Sequence, residues 1–304
     1  MVWLATALSC ATFLSVSAAC GVTQTPASPT QDAVPKDAQG SNLDAALDAA
    51  TTDAALGPWS APAKVDPVAM PSLQEDDASM SPNELEMTFA IDIAGDKQLS
   101  RVNRATTTSA WGAVTSLNIQ VANVTDQTPR YTNDGLTLYF ASNRGGNEDI
   151  YKMTRATTAS AWSAPTAVAE VNTNARERWF APCDGGRYLL NSDRGTANNL
   201  DVYEGILGGG PPTRVASFSS ASNETGAFIS FNCKHAFFTT AVGTTPGVME
   251  SFRIANAWTT PMPVLEINTA IYAEQDPWMS IDGKRMLFVS NMLGSNDLYM
   301  ITRM

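Results

Sequence analysis

Histidine is almost missing: the 304 residues contain one, His235. Its scarcity excludes most histidine-based acid–base, triad and zinc chemistry. Cysteine is scarce too. Cys10 and Cys20 fall in an N-terminal apolar stretch, Cys183 and Cys233 in the body, and no C-x-x-C pair reads as a zinc ribbon or redox motif. G-x-S-x-G, H-E-x-x-H and P-loop motifs are absent. Basic residues are few, 19 against 30 acidic ones, which leaves a formal net charge of −11. An acidic surface repels phosphate backbones, so nucleic acid is not an expected partner. Helical periodicity is absent after residue 57, which argues for an all-β body.

What is present begins with a targeting pattern. Residues 2–19 carry no charge and lead into Cys20-Gly21, then a polar tract. This is the pattern of a bacterial secretory signal. Ser-Ala-Ala-Cys at 17–20 also resembles a lipoprotein signal, in which Cys20 is lipidated after cleavage; Ser17 stands where an aliphatic residue is usual. Three destinations stand open: a lipid anchor at Cys20, plain secretion, and a transmembrane anchor, for which the run is short and only mildly apolar. The first places the protein in the periplasm or at the outer membrane or cell surface, touching membrane only through its lipid. Residues 21–56 lack aromatics and are rich in Ala, Asp, Thr and Pro, too poor in apolar surface to fold. The expected organisation is a signal segment at 1–20, a disordered linker at 21–56 and a β domain at 57–304.

The body repeats itself. TNDGLTLYFASNRGGNEDIYKMTR at 132–155 aligns without a gap with SIDGKRMLFVSNMLGSNDLYMITR at 280–303. An apolar marker after the first turn recurs at Phe89, Phe140, Leu190, Phe238 and Phe288, spaced 51, 50, 48 and 50 residues apart. An arginine closing the third strand recurs at Arg104, Arg155, Arg253 and Arg303, and a W-x-x-P/V strand opens at Trp111, Trp162 and Trp258; the third unit has lost both. Each unit reads as four short antiparallel strands with Asp-Gly and Gly-Gly-Asn turns. Such a unit repeated every ~50 residues means a β-propeller. The last unit stops before its W-x-x-P strand, while the body opens on PWSAPAKV at 58–65 with no unit before it. The expectation is a five-bladed ring closed by that N-terminal strand, with Trp59 as the missing tryptophan.

S-x-D-G-x-x-x-x-F at 280–288, its Thr132 variant at 132–140, S-N/D-R-x-G and D-I/L-Y resemble the WD-repeat-like propeller repeats of the TolB type over residues 58–304. The resemblance implies the propeller fold and an envelope setting. The first unit departs from it with Pro82-Asn83-Glu84 and the fourth with Asn232-Cys233. TolB has six blades and an extra α/β domain, so its partners do not carry over.

Asp134, Asp184 and Asp282 read as turn formers rather than acids. Asp149, Asp201 and Asp297 read as turn caps, with calcium beside Asn147, Asn199 and Asn296 as the alternative. The recurring tryptophans read as packing between blades. Residues entering each innermost strand vary more: Glu75-Asp76-Asp77, Asp126-Gln127, Arg176-Glu177-Arg178, Glu224 and Glu274-Gln275-Asp276, with Arg130, Phe180 and Trp278 just inside. The expectation puts them at the mouth of the central channel, either as a ligand or partner site or as a hydrated rim. Cys183 and Cys233 sit at equivalent turns of adjacent units, as a disulfide or as two thiols. No cofactor or metal is expected. The functional expectation is a non-catalytic envelope propeller that recognises a protein, peptide or glycan. The alternative is a glycoside-acting enzyme with Asp76, Asp126, Glu177, Glu224 and Glu274 as the carboxylates to test.

Overall fold

Five antiparallel sheets follow one another along the chain. The computed structural model describes residues 57–65 and 74–304. The expected signal segment with Cys20 and the linker at 21–56 lie outside the described residues. β1 (Ala63–Lys64) precedes the first unit. The first blade comprises β2 (Glu75–Met80), β3 (Glu86–Ile93), β4 (Asp96–Asn103) and β5 (Thr115–Ser116). The second comprises β6 (Asp126–Tyr131), β7 (Thr137–Ser142), β8 (Asp149–Thr154) and β9 (Thr166–Ala167). The third comprises β10 (Glu177–Pro182), β11 (Arg187–Thr196), β12 (Asn199–Ile206) and β13 (Thr213–Arg214). The fourth comprises β14 (Thr225–Ile229), β15 (His235–Val242), β16 (Thr245–Ile254) and an outer edge in two pieces, β17 (Ala257–Trp258) and β18 (Met262–Pro263). The fifth comprises β19 (Glu274–Met279), β20 (Arg285–Ser290) and β21 (Asp297–Thr302).

The fifth sheet is completed by β1, in the order β1-β21-β20-β19. Ala63 pairs with Met300 and Lys64 with Tyr299. The expected ring closure is therefore present, and it covers an edge that would otherwise be open. The outer strands are shorter than expected. In the second blade the strand is Thr166–Ala167, flanked by single bonds from Ser163 N to Thr154 O and from Val168 N to Ile150 O.

The repeat markers hold the ring together. Phe89, Phe140, Leu190, Phe238 and Phe288 are all buried. Each marker arginine donates its Nε to a carbonyl of the first turn: Arg104 to Glu84, Arg155 to Gly135, Arg253 to Cys233 and Arg303 to Gly283, at 2.7 to 3.0 Å. Its guanidinium also lies 4.1 to 4.2 Å from the ring of Trp111, Trp162, Trp258 or Trp59 respectively. Arg155 and Arg253 reach on into the preceding blade, to Glu86 and Glu204. The third blade has neither the arginine nor the tryptophan of this pair. Leu207 takes the arginine's backbone place, its N–H donating to Gly186 O.

The first turns explain the departures from the repeat. Asp134 and Asp282 accept from Thr132 and Ser280 Oγ and from the N–H two residues on. Asn83 and Asn232 do the same in the first and fourth blades. The next position is left-handed throughout. It holds Gly135 and Gly283 where the repeat is regular, and Glu84 (φ 57°) and Cys233 (φ 60°) where it departs. Cys183 and Cys233 form a disulfide between the third and fourth blades, with Cα atoms 5.5 Å apart. The third-strand aspartates face cations: Asp201 pairs with Arg214 and Asp297 with Lys64. That pairing leaves the calcium alternative without free ligands at these two positions.

Candidate functional site

Each innermost strand starts on the face that also carries the second hairpins and the blade-linking loops. An acid stands at its start in every blade, as first residue in Glu75, Asp126, Glu177 and Glu274 and just before the strand in Glu224. All five are buried. Glu177 accepts from Thr173 N and Oγ1, Ser192 Oγ and Arg194 Nη2. Glu274 accepts from Thr269 N and Oγ1, Glu224 from Ser220 Oγ, and Asp126 from Arg144. Burial raises the carboxyls of Asp126, Glu224 and Glu274 above their ordinary values. These acids fasten the incoming loop to its blade. Asp126, Glu177, Glu224 and Glu274 thus occupy buried places within the blades, not the open channel rim expected of them. An acid this enclosed must be hydrogen-bonded, which draws it to neighbouring hydroxyls and arginines.

Counted from that opening acid, the ladder slips after the second position in every blade. The third residue is left-handed in all five: Asp77 (φ 54°), Thr128 (φ 56°), Trp179 (φ 47°), Gly226 (φ 60°) and Asp276 (φ 54°). This repeated bulge re-aims the third side chain, and the contacts show where. Trp179 Nε1, in the third blade, donates to Asp77 Oδ1, in the first, at 2.7 Å. Those blades are not neighbours, so the bond crosses the ring axis. A β-carbon on Gly226 would stand 3.0 Å from Asp276 Oδ1, so the glycine leaves room for that carboxylate.

Asp76, Asp77 and Asp276 each bring one oxygen to within 4.8 Å of the others. Lys97, from the second hairpin of the first blade, bonds Asp76 Oδ2 and lies 3.8 Å from Asp77 Oδ2. Burial, then Asp76, raises Asp77; burial, then Asp77 and Asp76, holds Asp276 well above the usual carboxylate range. Burial pulls Lys97 down, but Asp77 and Asp76 outweigh it and leave the ammonium more firmly protonated than usual. Arg130 lies beneath, fully buried, donating Nη1 to Ala78 O and Pro129 O. Burial lowers its pKa, opposed by Asp77, Asp276 and Asp76. Its Nε and Nη2, Asp77 Oδ2 and Asp276 Oδ1 are buried without a hydrogen-bond partner.

The sequence-derived set therefore divides. Asp76, Asp276 and Arg130 meet at the axis. Arg176 and Arg178 lie half-buried on the mouth face, held by Asp193 and by Glu148. Trp278 is core, edge-on to Phe228, and Phe180 packs between Tyr139 and Tyr188. Asp77 was named only as part of the Glu75-Asp76-Asp77 run at the first strand start; Lys97 and Trp179 were not singled out. Asp77 carried a signal, an Asp-Asp pair at a strand start; Lys97 and Trp179 carried none. Two cavities open on this face. One of about 580 Å³ lies beside Asn174, Arg176, Ala197 and Asn198, and one of about 330 Å³ reaches Thr225, Thr239, Thr244 and Gln275. Thr239 also accepts the N–H of Asp276, which joins the second cavity to the cluster.

No protein-family model matches the chain, and no curated protein matches its sequence. Solved structures share the fold. An alpha-L-arabinofuranosidase from Podospora anserina, in complex with cellotriose, is 12% identical over 80% of this chain and 94% of its own, with a TM-score of 0.52. The catalytic domain of a GH62 alpha-L-arabinofuranosidase from Coprinopsis cinerea is 13% identical over 81% and 96%, also at 0.52. TolB from Acinetobacter baumannii is 16% identical over 78% of this chain, with a TM-score of 0.46; the chain spans 56% of that TolB's length.

Proposed function

We propose that this chain is a non-catalytic binding propeller of a bacterial cell envelope, which engages a peptide or glycan segment of a partner at the mouth face. The carrying observation is the state of the five strand-opening acids: each is buried, and Asp126, Glu177, Glu224 and Glu274 are committed to partners within the blades. No acid–base pair stands free in that ring of positions, while amide- and hydroxyl-lined cavities open beside it. Such surfaces suit a polar chain held by hydrogen bonds. The N-terminal strand supports the orientation. Gly57 N donates to Met304 O and Ser60 N to Thr302 O, so the chain enters the ring on the opposite face.

Arrays of envelope glycans and peptides test this reading. The wild-type chain and a control with Thr107→Trp, exposed on the opposite face, should bind the same ligand class. Ala197→Trp and Thr244→Trp, each in one mouth cavity, should weaken it at least about tenfold. Binding that survives both mouth variants and fails in the control overturns the assignment.

A second reading has one observation behind it, the carboxylates at the axis. Burial and the neighbouring Asp77 and Asp76 raise Asp276, which gives the cluster a weaker acid beside stronger ones, as the acid and base of glycoside hydrolysis require. Turnover of reporter glycosides that is abolished by Asp77→Asn establishes it.

A further inference from the structure

Asp77 Oδ2 and Asp276 Oδ1 accept no hydrogen bond, on residues 1% and 6% exposed, and the only ion pair of either among the described residues is the 3.8 Å approach of Lys97 to Asp77 Oδ2. An orphaned buried carboxylate oxygen is costly, and a cation beside it removes the cost. The free oxygen of Asp77 has a fixed direction. Its other oxygen is held by the Trp179 indole, and Oδ2 points toward the ammonium of Lys97, 3.8 Å away. Asp76, which bonds that ammonium, is the third carboxylate. All three offer an oxygen within a 4.8 Å span.

The geometry points to a divalent-cation site formed by Asp76, Asp77 and Asp276, for a hard oxygen-seeking ion such as Ca²⁺ or Mn²⁺, at which Lys97 is an internal competitor. Oxygen donors from two blades, with no thiolate or imidazole among them, select hard ions over zinc or copper. Lys97 has a way out, since its side chain is 29% exposed. The bulge that turns Asp77 and Asp276 inward does so from neighbouring blades, so an ion here ties the first blade to the fifth near the axis. This site does not rest on the partner-binding reading above.

The EDTA-stripped full chain tests it, titrated with CaCl₂ and MnCl₂ while thermal unfolding is followed. Tb³⁺ serves as a second probe, because the Trp179 indole on Asp77 would sensitise its emission. Lys97→Met should bind Ca²⁺ at least about tenfold more tightly than wild type, as removal of a competing charge requires. Asp77→Asn and Asp276→Asn should each lose at least about tenfold. Trp179→Phe should lose the Tb³⁺ emission and keep the Ca²⁺ shift. Binding seen in Lys97→Met alone still supports the site, with Lys97 as the dominant occupant. No saturable response in wild type or in Lys97→Met overturns it. So does a response that Asp77→Asn and Asp276→Asn leave unchanged. Asp76→Asn, at a side chain 17% exposed, supplies a third loss-of-ligand variant if either buried one fails to fold.

Discussion

The guanidinium of Arg303 lies 4.2 Å from the ring of Trp59, joining the last strand of the propeller to the first described segment. The same pair recurs within the first, second and fourth blades, but there both partners come from one unit. Only the Trp59 pair spans the closure. A double-mutant cycle between Trp59→Ala and Arg303→Ala should give a coupling of about 0.5–2 kcal/mol in urea unfolding. Zero coupling would show that closure rests on the β1 ladder alone.

The disulfide gives a redox-dependent stability. Cys183 and Cys233 are 50 residues apart in sequence. Replacing both with serine should cost about 2–4 kcal/mol. Reducing agent should lower the melting temperature of the wild type and leave the double variant unchanged. Equal melting with and without reductant would contradict a bond that bears on the fold.

Glu177 separates a structural role from a binding one. Its carboxylate is fully buried and gathers Thr173, Ser192 and Arg194. Glu177→Ala should cost about 3–5 kcal/mol, because Arg194 and the Thr173 N–H lose their shared acceptor. Lost ligand affinity at unchanged stability would return Glu177 to the channel mouth.

The axial carboxylates set a pH dependence. Burial, then Asp77 and Asp76, raises Asp276 in the folded state. Below the ordinary aspartate range both folded and unfolded chains hold that proton. As pH rises toward the raised folded value, only the unfolded chain gives it up, so stability falls. Asp276→Asn removes the titration, and its stability relative to wild type should increase from acid to neutral pH. A difference that stays flat, or shrinks, would mean that Asp276 is not protonated above its usual range.

The fold was legible because five copies carry the same information. Phe140 or Trp162 alone says little, but their recurrence in one register dictates a strand order and a period. Even the departures made sense once placed: Asn83 and Asn232 keep the oxygen that Asp134 and Asp282 use. The site was legible only in part. Asp76 and Asp276 were found because they stand at strand starts, yet so do Glu177 and Glu274, which point the other way. The difference is a bulge after the second residue, and no residue type announces it: Asp77, Thr128, Trp179, Gly226 and Asp276 all occupy that position. Trp179 reaching Asp77 is a contact across 102 residues and two blades, invisible to any local pattern.

Photo-cross-linking in living cells tests the assignment of the mouth face most directly. A photoreactive residue at Thr244 or Ala197 probes that face, and one at Thr107 probes the opposite face. The expected result is a reproducible adduct from Thr244 and Ala197, of one mass, absent from Thr107 and abolished when competing ligand is supplied. An adduct formed from Thr107 alone would place the partner on the other face and contradict the proposed function.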